Sequence, residues 1–153
     1  MEARPVPAAL TDDVGFLLSR ASGLFVRASN QVLVSYGLRV RSYSVLLLAC
    51  DADDGITQRD LAEILGLDPS QVVLLVDELT ENGLVERRPS DTDRRTRLVA
   101  ATAAGRALRA EAVREVDAAV DAQLSGLTGT ERYLLRDLLG RLVRGDGAAA
   151  GPA

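Results

Sequence analysis

Residues 57–102 read TQRDLAEILGLDPSQVVLLVDELTENGLVERRPSDTDRRTRLVAAT, and the order of elements in this stretch decides the fold. Two short runs of helical periodicity are parted by Gly66-Leu67. Thr57 is placed to cap the first, with Asp60 at the capping-box position. Leu61, Ala62 and Leu65 form one apolar stripe, and Gly66 suits the left-handed residue that follows a helix. Asp68-Pro69-Ser70-Gln71 opens the second run with an N-cap, a first-turn proline and a glutamine that can close a capping box. Val72, Leu75, Val76 and Leu79 recur at spacings of three and four and should face a core. Ser70, Gln71, Val73, Leu74, Asp77 and Glu78 are left on the outer face.

Gly83 stops the second helix, and 84–88 and 95–102 are strand candidates around an Arg-rich loop. Proline cannot donate to a ladder, so Pro89 marks the departure into that loop. Helix, tight turn, helix, β-hairpin is the order of a winged helix-turn-helix, and the expected class is mainly α with a small β-hairpin wing (α+β). A helix presented this way can enter a major groove with its N-terminal residues near base edges.

Outward from this stretch, residues 1–10, with Pro5 and Pro7, read as a flexible arm. A helix is expected from Thr11 or Asp12 to about Ser35, with Leu17, Leu18, Ala21, Leu24, Phe25, Ala28 and Val32 on a broad apolar face and Gly37 at its end. Residues 41–50 form a second helix whose middle, Val45 to Leu48, is apolar throughout and expected to be buried. Asp51-Ala52-Asp53-Asp54-Gly55 lacks the register of a calcium loop and reads as a turn. Beyond the hairpin, 103–124 is a long helix with Leu108, Val113, Val116, Val120 and Leu124 on one side. Thr128-Gly129-Thr130-Glu131 is a capping box for a last helix striped by Leu134, Leu135, Leu138, Leu139, Leu142 and Val143. The tail 145–153, GDGAAAGPA, is expected to be disordered. The terminal helices are too apolar to stand alone. They can pack on each other or against a second chain, and an apolar surface of this size favours a helical homodimer.

The 153 residues make a single domain, 1–153, and with 47% hydrophobic residues a core is easily built. No apolar run is long enough to span a membrane, and MEARPVPAAL lacks a signal-peptide core, so a cytoplasmic protein with no membrane partner is expected. One Cys excludes an intrachain disulfide and argues against a zinc site. There is no His, no Gly-rich phosphate loop and no nucleophile motif, so no catalytic residue, metal or cofactor is expected. All 18 basic residues are Arg, through either biased codon usage or selection for phosphate and guanine recognition. The net charge of −4 is awkward for a nucleic-acid binder, yet 84–109 holds seven Arg (87, 88, 94, 95, 97, 106, 109) against Glu86, Asp91 and Asp93, net +4. That run reads either as a binding surface or as a solvated charge run. Cys50 ends an apolar helix beside acids that raise a thiol pKa, which reads as a structural cysteine.

The pattern over about 12–143 resembles the MarR family of bacterial transcriptional regulators. Its most specific part is Gly83-Leu84-Val85-Glu86-Arg87-Arg88 followed by Asp91-x-Asp93-Arg94-Arg95-x-x-Leu98-Val99-x-x-Thr102-x-x-Gly105. This is similar to the family's wing signature, DxDRRxxLxxLTxxG, with Ala101 standing where the family usually has Leu. The resemblance implies a repressor that binds a pseudo-palindromic double-stranded DNA operator as a homodimer. It implies a dimerisation region at 11–36 and 103–144, and a winged DNA-binding region at 40–102 with its recognition helix at 68–82. DNA contacts are expected from Ser70, Gln71, Val73, Leu74, Arg87, Arg88, Arg94, Arg95 and Arg97. Arg94 and Arg95 would enter a minor groove, and Arg87, Arg88 and Arg97 would meet phosphates. Asp77 and Asp93 would orient wing arginines, Asp93 by a paired hydrogen bond. Leu74 and Glu78 depart from the polar or basic residues usual there. Val73 or Leu74 can touch a thymine methyl, while Gln71 has two competing tasks, capping its helix or bonding adenine. The family also implies a small-molecule signal. With no His on the first two helices, an aromatic or phenolic effector is expected in an apolar cleft between the two regions, with Leu24, Phe25, Tyr36 and Tyr43 as its candidate lining, although core packing accounts for the same four residues equally well. The alternative is a winged-helix ligand-binding or protein-interaction module that has lost DNA binding.

Overall fold

A computed structural model of the chain describes residues 5–145. Part of the N-terminal arm is helical: α1 (Ala8–Thr11) is a single turn in which Pro7 O accepts the N–H of Leu10 at 2.9 Å. Asp13 begins the next helix, because its carboxylate accepts the N–H of Phe16 at 2.7 Å. α2 (Val14–Leu33) therefore starts just after the expected boundary and closes through a 3₁₀ turn, Val34–Tyr36, onto Gly37 at φ 69°. α3 (Val40–Asp51) is tied back to α2 by the N–H of Val40, which donates to Asn30 Oδ1 at 2.9 Å.

α4 (Gln58–Leu65) and α5 (Pro69–Glu81) follow, joined through Gly66 in the left-handed conformation at φ 62°. Thr57 caps α4, its hydroxyl accepting the N–H of Asp60 at 3.0 Å. β1 (Val85–Pro89) and β2 (Arg97–Ala101) pair antiparallel, Val85 opposite Ala101 and Pro89 opposite Arg97. The missing N–H of Pro89 falls at the end of its strand, where the ladder loses least. Ile56 adds a short bridge unforeseen in the sequence, exchanging backbone hydrogen bonds with Val99 at 2.8 and 2.9 Å. α6 (Ala103–Gln123) and α7 (Gly129–Arg144) complete the described chain. The expected disordered tail lies outside the described residues apart from Gly145, the left-handed cap of α7.

α3 is the central element of the core. Its Val45, Leu46 and Ala49 are fully buried against Leu61, Val72, Val76 and Leu79 of the helix pair, Val85 and Val99 of the hairpin, and Ala112 and Val116 of α6. Leu47 and Leu48 are only partly buried, since a helix of this length cannot turn every side inward. Each fully buried Val or Leu contributes about 1.5–3 kcal/mol relative to exposure, so this packing fixes the α4–α5 pair on its support. Gly105 sets the distance between α6 and the hairpin: a Cβ there would overlap the carbonyl oxygen of Leu84. Thr102 joins the same junction, donating to Gly83 O at 2.6 Å and accepting the N–H of Gly105 at 3.1 Å.

α2 packs along α6. α7, by contrast, buries none of its residues. Leu134, Leu138, Leu142 and Val143 lie exposed, Val143 to 84%, and Val14, Leu17 and Leu18 of α2 are exposed as well.

Candidate nucleic-acid interface

α5 turns Ser70, Val73, Leu74 and Glu78 outward, with Gln71 and Asp77 half-buried. Two of its polar side chains are engaged within the chain. The Oε1 of Gln71 accepts the N–H of Asp68 at 3.3 Å, the helix-capping role of the two the sequence allows. Asp77 Oδ1 pairs with Arg87 Nη2 at 2.6 Å, and Arg87 Nε donates to Gln58 Oε1 at 3.0 Å. Arg87 thus joins α4, α5 and β1 through one planar guanidinium. Arg87 was expected on a phosphate; within the chain its hydrogen bonds hold the hairpin to α5. Gln58 was missed, because nothing local pairs it with a residue 29 positions away.

The wing tip is built by Asp93. Its Oδ1 accepts the backbone N–H of Arg95 at 3.0 Å, and its Oδ2 accepts the hydroxyl of Thr96 at 3.2 Å. The carboxylate therefore shapes the loop backbone, where a paired bond to a guanidinium was expected; short acidic side chains reach their own backbone two residues on more easily than a long neighbouring side chain. Arg88, Arg94, Arg95 and Arg97 are exposed, and none takes part in an ion pair among the described residues. The other two arginines of the basic run turn to the body of the protein. Arg106 donates to the carbonyl of Cys50 at 2.8 Å, and Arg109 pairs with Asp51 at 2.6 Å. Within the run 84–109, the positive charge available to a ligand is narrower than the sequence sum and lies on the wing.

Cys50 is 5% exposed in the core. Burial pushes its thiol up, while the guanidiniums of Arg109 and Arg106 pull the other way. The arginines were not foreseen; the acid of Asp51 is a lesser influence than burial.

Two clefts bear on ligands. One of about 510 Å³ runs between the acidic turn and the wing, lined by Asp53, Asp54 and Asp91 as well as Arg88, and its carboxylates disfavour a phosphate. No group of residues suited to a metal ion occurs among the described residues. A cleft of about 280 Å³ lies between α2, α3 and α5, lined by Val26, Asn30, Arg39, Val40, Arg41, Ser42, Leu75 and Glu78. None of the four residues expected at such a cleft lines it. Tyr43 is buried in the core, and Tyr36 donates to Glu115 at 2.7 Å, a bond that holds its phenol above the ordinary value. Phe25 lines a separate cavity with Leu124, Leu135 and Leu139, and Leu24, exposed, lines neither. The rotation of α2 about its axis decides which of its apolar residues faces α5, and periodicity alone does not specify it.

The MarR family profile matches residues 36–96. The chain is 50% identical to a MarR-family transcriptional regulator from Rhodococcus sp. RHA1, covering 90% of this chain and 96% of that one at a TM-score of 0.84. CouR from Rhodococcus jostii RHA1, solved bound to p-coumaroyl-CoA, is 48% identical over 96% of this chain and 100% of its own, with a TM-score of 0.83. A transcriptional repressor CouR bound to a 23-mer DNA duplex is 29% identical over 92% and 99%, with a TM-score of 0.79.

Proposed function

The chain belongs to the MarR family of transcriptional regulators, and from that premise we propose that it is a dimeric, sequence-specific DNA-binding repressor whose affinity for DNA is lowered by an aromatic effector. The observation that carries this reading is the Arg87 bridge. A duplex is read at two grooves, so the helix and the wing must keep a fixed relation. Asp77, Arg87 and Gln58 supply it across three elements. α5 then enters the major groove, Arg94 and Arg95 the minor groove, and Arg88 and Arg97 meet phosphates.

The exposed apolar residues of α2 and α7 form the dimer face, with 11–36 and 103–144 as the dimerisation region and 40–102 as the DNA-binding region. Two copies of α5 then meet successive major grooves about 34 Å apart on a pseudo-palindromic operator. The effector occupies the cleft between α2 and α5, where Val26, Val40 and Leu75 offer an apolar wall to a ring. Arg39 and Arg41 stand beside it for an anionic group. Its solved relative holds p-coumaroyl-CoA, and an aromatic acyl thioester of that kind fits this chemistry. Leu75 and Glu78 belong to α5 itself, so occupancy biases the position of the recognition helix, which is the differential affinity that ligand control requires. The protein works in the cytoplasm, and no reaction is assigned to it.

Selection of bound fragments from genomic DNA, followed by titration with p-coumaroyl-CoA and with free p-coumarate, tests this function. Enrichment of a pseudo-palindrome released by the thioester is expected. Enrichment of no duplex would overturn DNA binding, and a duplex indifferent to both compounds would overturn the proposed effector.

A further inference from the structure

Resting on that reading, we propose that the recognition helix identifies its operator chiefly through the 5-methyl groups of thymine, held by Val73 and Leu74. The polar groups that read bases by paired hydrogen bonds are largely committed elsewhere. A bidentate contact to adenine needs both the oxygen and the nitrogen of a glutamine amide, and the Gln71 oxygen already accepts the N–H of Asp68. Asp77 is paired with Arg87, and Gln58 accepts from the same guanidinium. Thr80 donates its hydroxyl to the Val76 carbonyl at 2.7 Å. α5 carries no Lys or Arg, so the commonest contact to guanine is absent from it. Glu78 and Glu81 lie toward the C-terminal end of the helix, farther from base edges and of the same charge as the phosphates.

Over the first two turns after Pro69, the outward side chains are therefore Ser70, Val73 and Leu74. Residues three and four apart share a helix face, so these three form one small surface. Leu74 is 70% exposed and Val73 39%. An aliphatic pair held in water gains on binding only where it meets apolar surface. In the major groove the apolar surface is the thymine methyl group, and 5-methylcytosine presents the same methyl on a different hydrogen-bonding pattern. The expected preference is thus for the methyl itself rather than for the donors and acceptors of an A·T pair.

The test uses a duplex recovered by selection and replaces each half-site thymine in turn by deoxyuridine, which removes one methyl and keeps every hydrogen-bonding group. Affinity of the full dimer should fall about fourfold at the responsive position in one half-site, and roughly fifteenfold when both half-sites are changed. Leu74→Ser, at an exposed position that leaves the core intact, should bind thymine and uracil duplexes equally, and Val73→Ser should reduce the difference. Cytosine at the same position should bind weakly, and 5-methylcytosine should recover part of the loss in the parent only. If the selected duplex binds uracil and thymine equally at every position, this inference falls while the proposed function stands. Equal sensitivity in the parent and Leu74→Ser would place the methyl contact elsewhere and also overturn it. If selection enriches no duplex, both readings fall together.

Discussion

Arg87 and Arg88 are neighbours in sequence with different tasks, because successive side chains of a strand point to opposite faces. Arg87 turns to Asp77 and Gln58, and Arg88 turns to solvent. Arg87→Ala should lower folding stability by no more than about 1 kcal/mol, since the ion pair is partly exposed. It should nevertheless weaken specific DNA binding, and Arg87→Ala with Asp77→Ala should cost little more than either alone, as expected of one shared interaction. Arg88→Ala should weaken all sequences alike and reduce the salt slope by about one, whereas Arg95→Ala should cost roughly 1–3 kcal/mol of specific binding. Titration against operator and random duplex at several salt concentrations separates these outcomes. Gly105 is constrained by packing rather than by a turn. Gly105→Ala should destabilise the chain by at least about 1–3 kcal/mol, measured by chemical denaturation, because the added Cβ meets backbone that cannot rotate away. At Cys50, burial opposes thiolate formation. Peroxide should leave DNA binding of the parent and Cys50→Ser equally intact, and release of DNA from the parent alone would make Cys50 a sensor.

At the scale of elements, the boundaries legible in sequence are those with a local cap. Thr57, Thr102 and Thr128 each accept a backbone N–H three residues on; the sequence displays Thr57 and Thr128 as caps before periodic runs, while Thr102 is legible there only as part of the wing motif. The start of α2 shows the limit: Thr11, Asp12 and Asp13 are all capable caps, and the geometry selects Asp13. α7 has a complete capping box, with Glu131 Oε2 accepting the N–H of Thr128 at 2.8 Å. That bond holds the Glu131 carboxyl below its ordinary value. A folded pKa below the unfolded one contributes stability that is present above the unfolded pKa and lost as the pH falls through the folded value. Thermal melts of the parent should therefore fall more steeply than those of Glu131→Gln below about pH 4.3. Parallel acid limbs for the two proteins would show that the carboxylate contributes nothing to the fold.

For the whole molecule, the apolar surface is distributed unevenly. The winged region closes its core against Leu33 of α2 and Ala112 and Val116 of α6, while α7 and the first half of α2 leave leucines uncovered. This is the pattern of a chain whose second core is completed by a partner. Leu142→Glu should leave the winged region folded, shift the protein toward monomer in sedimentation equilibrium, and reduce operator affinity by uncoupling the two half-sites. A parent that sediments as a monomer at micromolar concentration, with and without DNA, would overturn this arrangement. The negative total charge is compatible with DNA binding because four exposed wing arginines lie outside every ion pair among the described residues.

The sequence by itself determined the order of elements, most of their ends, the helix–turn–helix spacing and the core stripes of α4 and α5. These rest on periodicity and on hydrogen bonds that close within three or four residues. Only the tertiary structure decided which polar groups remain for a ligand. Asp77 meets Arg87 across 10 positions, Gln58 meets Arg87 across 29, the Cys50 carbonyl meets Arg106 across 56, and Tyr36 meets Glu115 across 79. It also set Val26, Asn30 and Leu75 around the cleft between α2, α3 and α5, and Phe25 at a separate cavity with Leu124, Leu135 and Leu139. Periodicity states that a residue lies on a helix face; the neighbour that face meets depends on how each helix rotates as the core closes, and that rotation is set by the packing of every element at once.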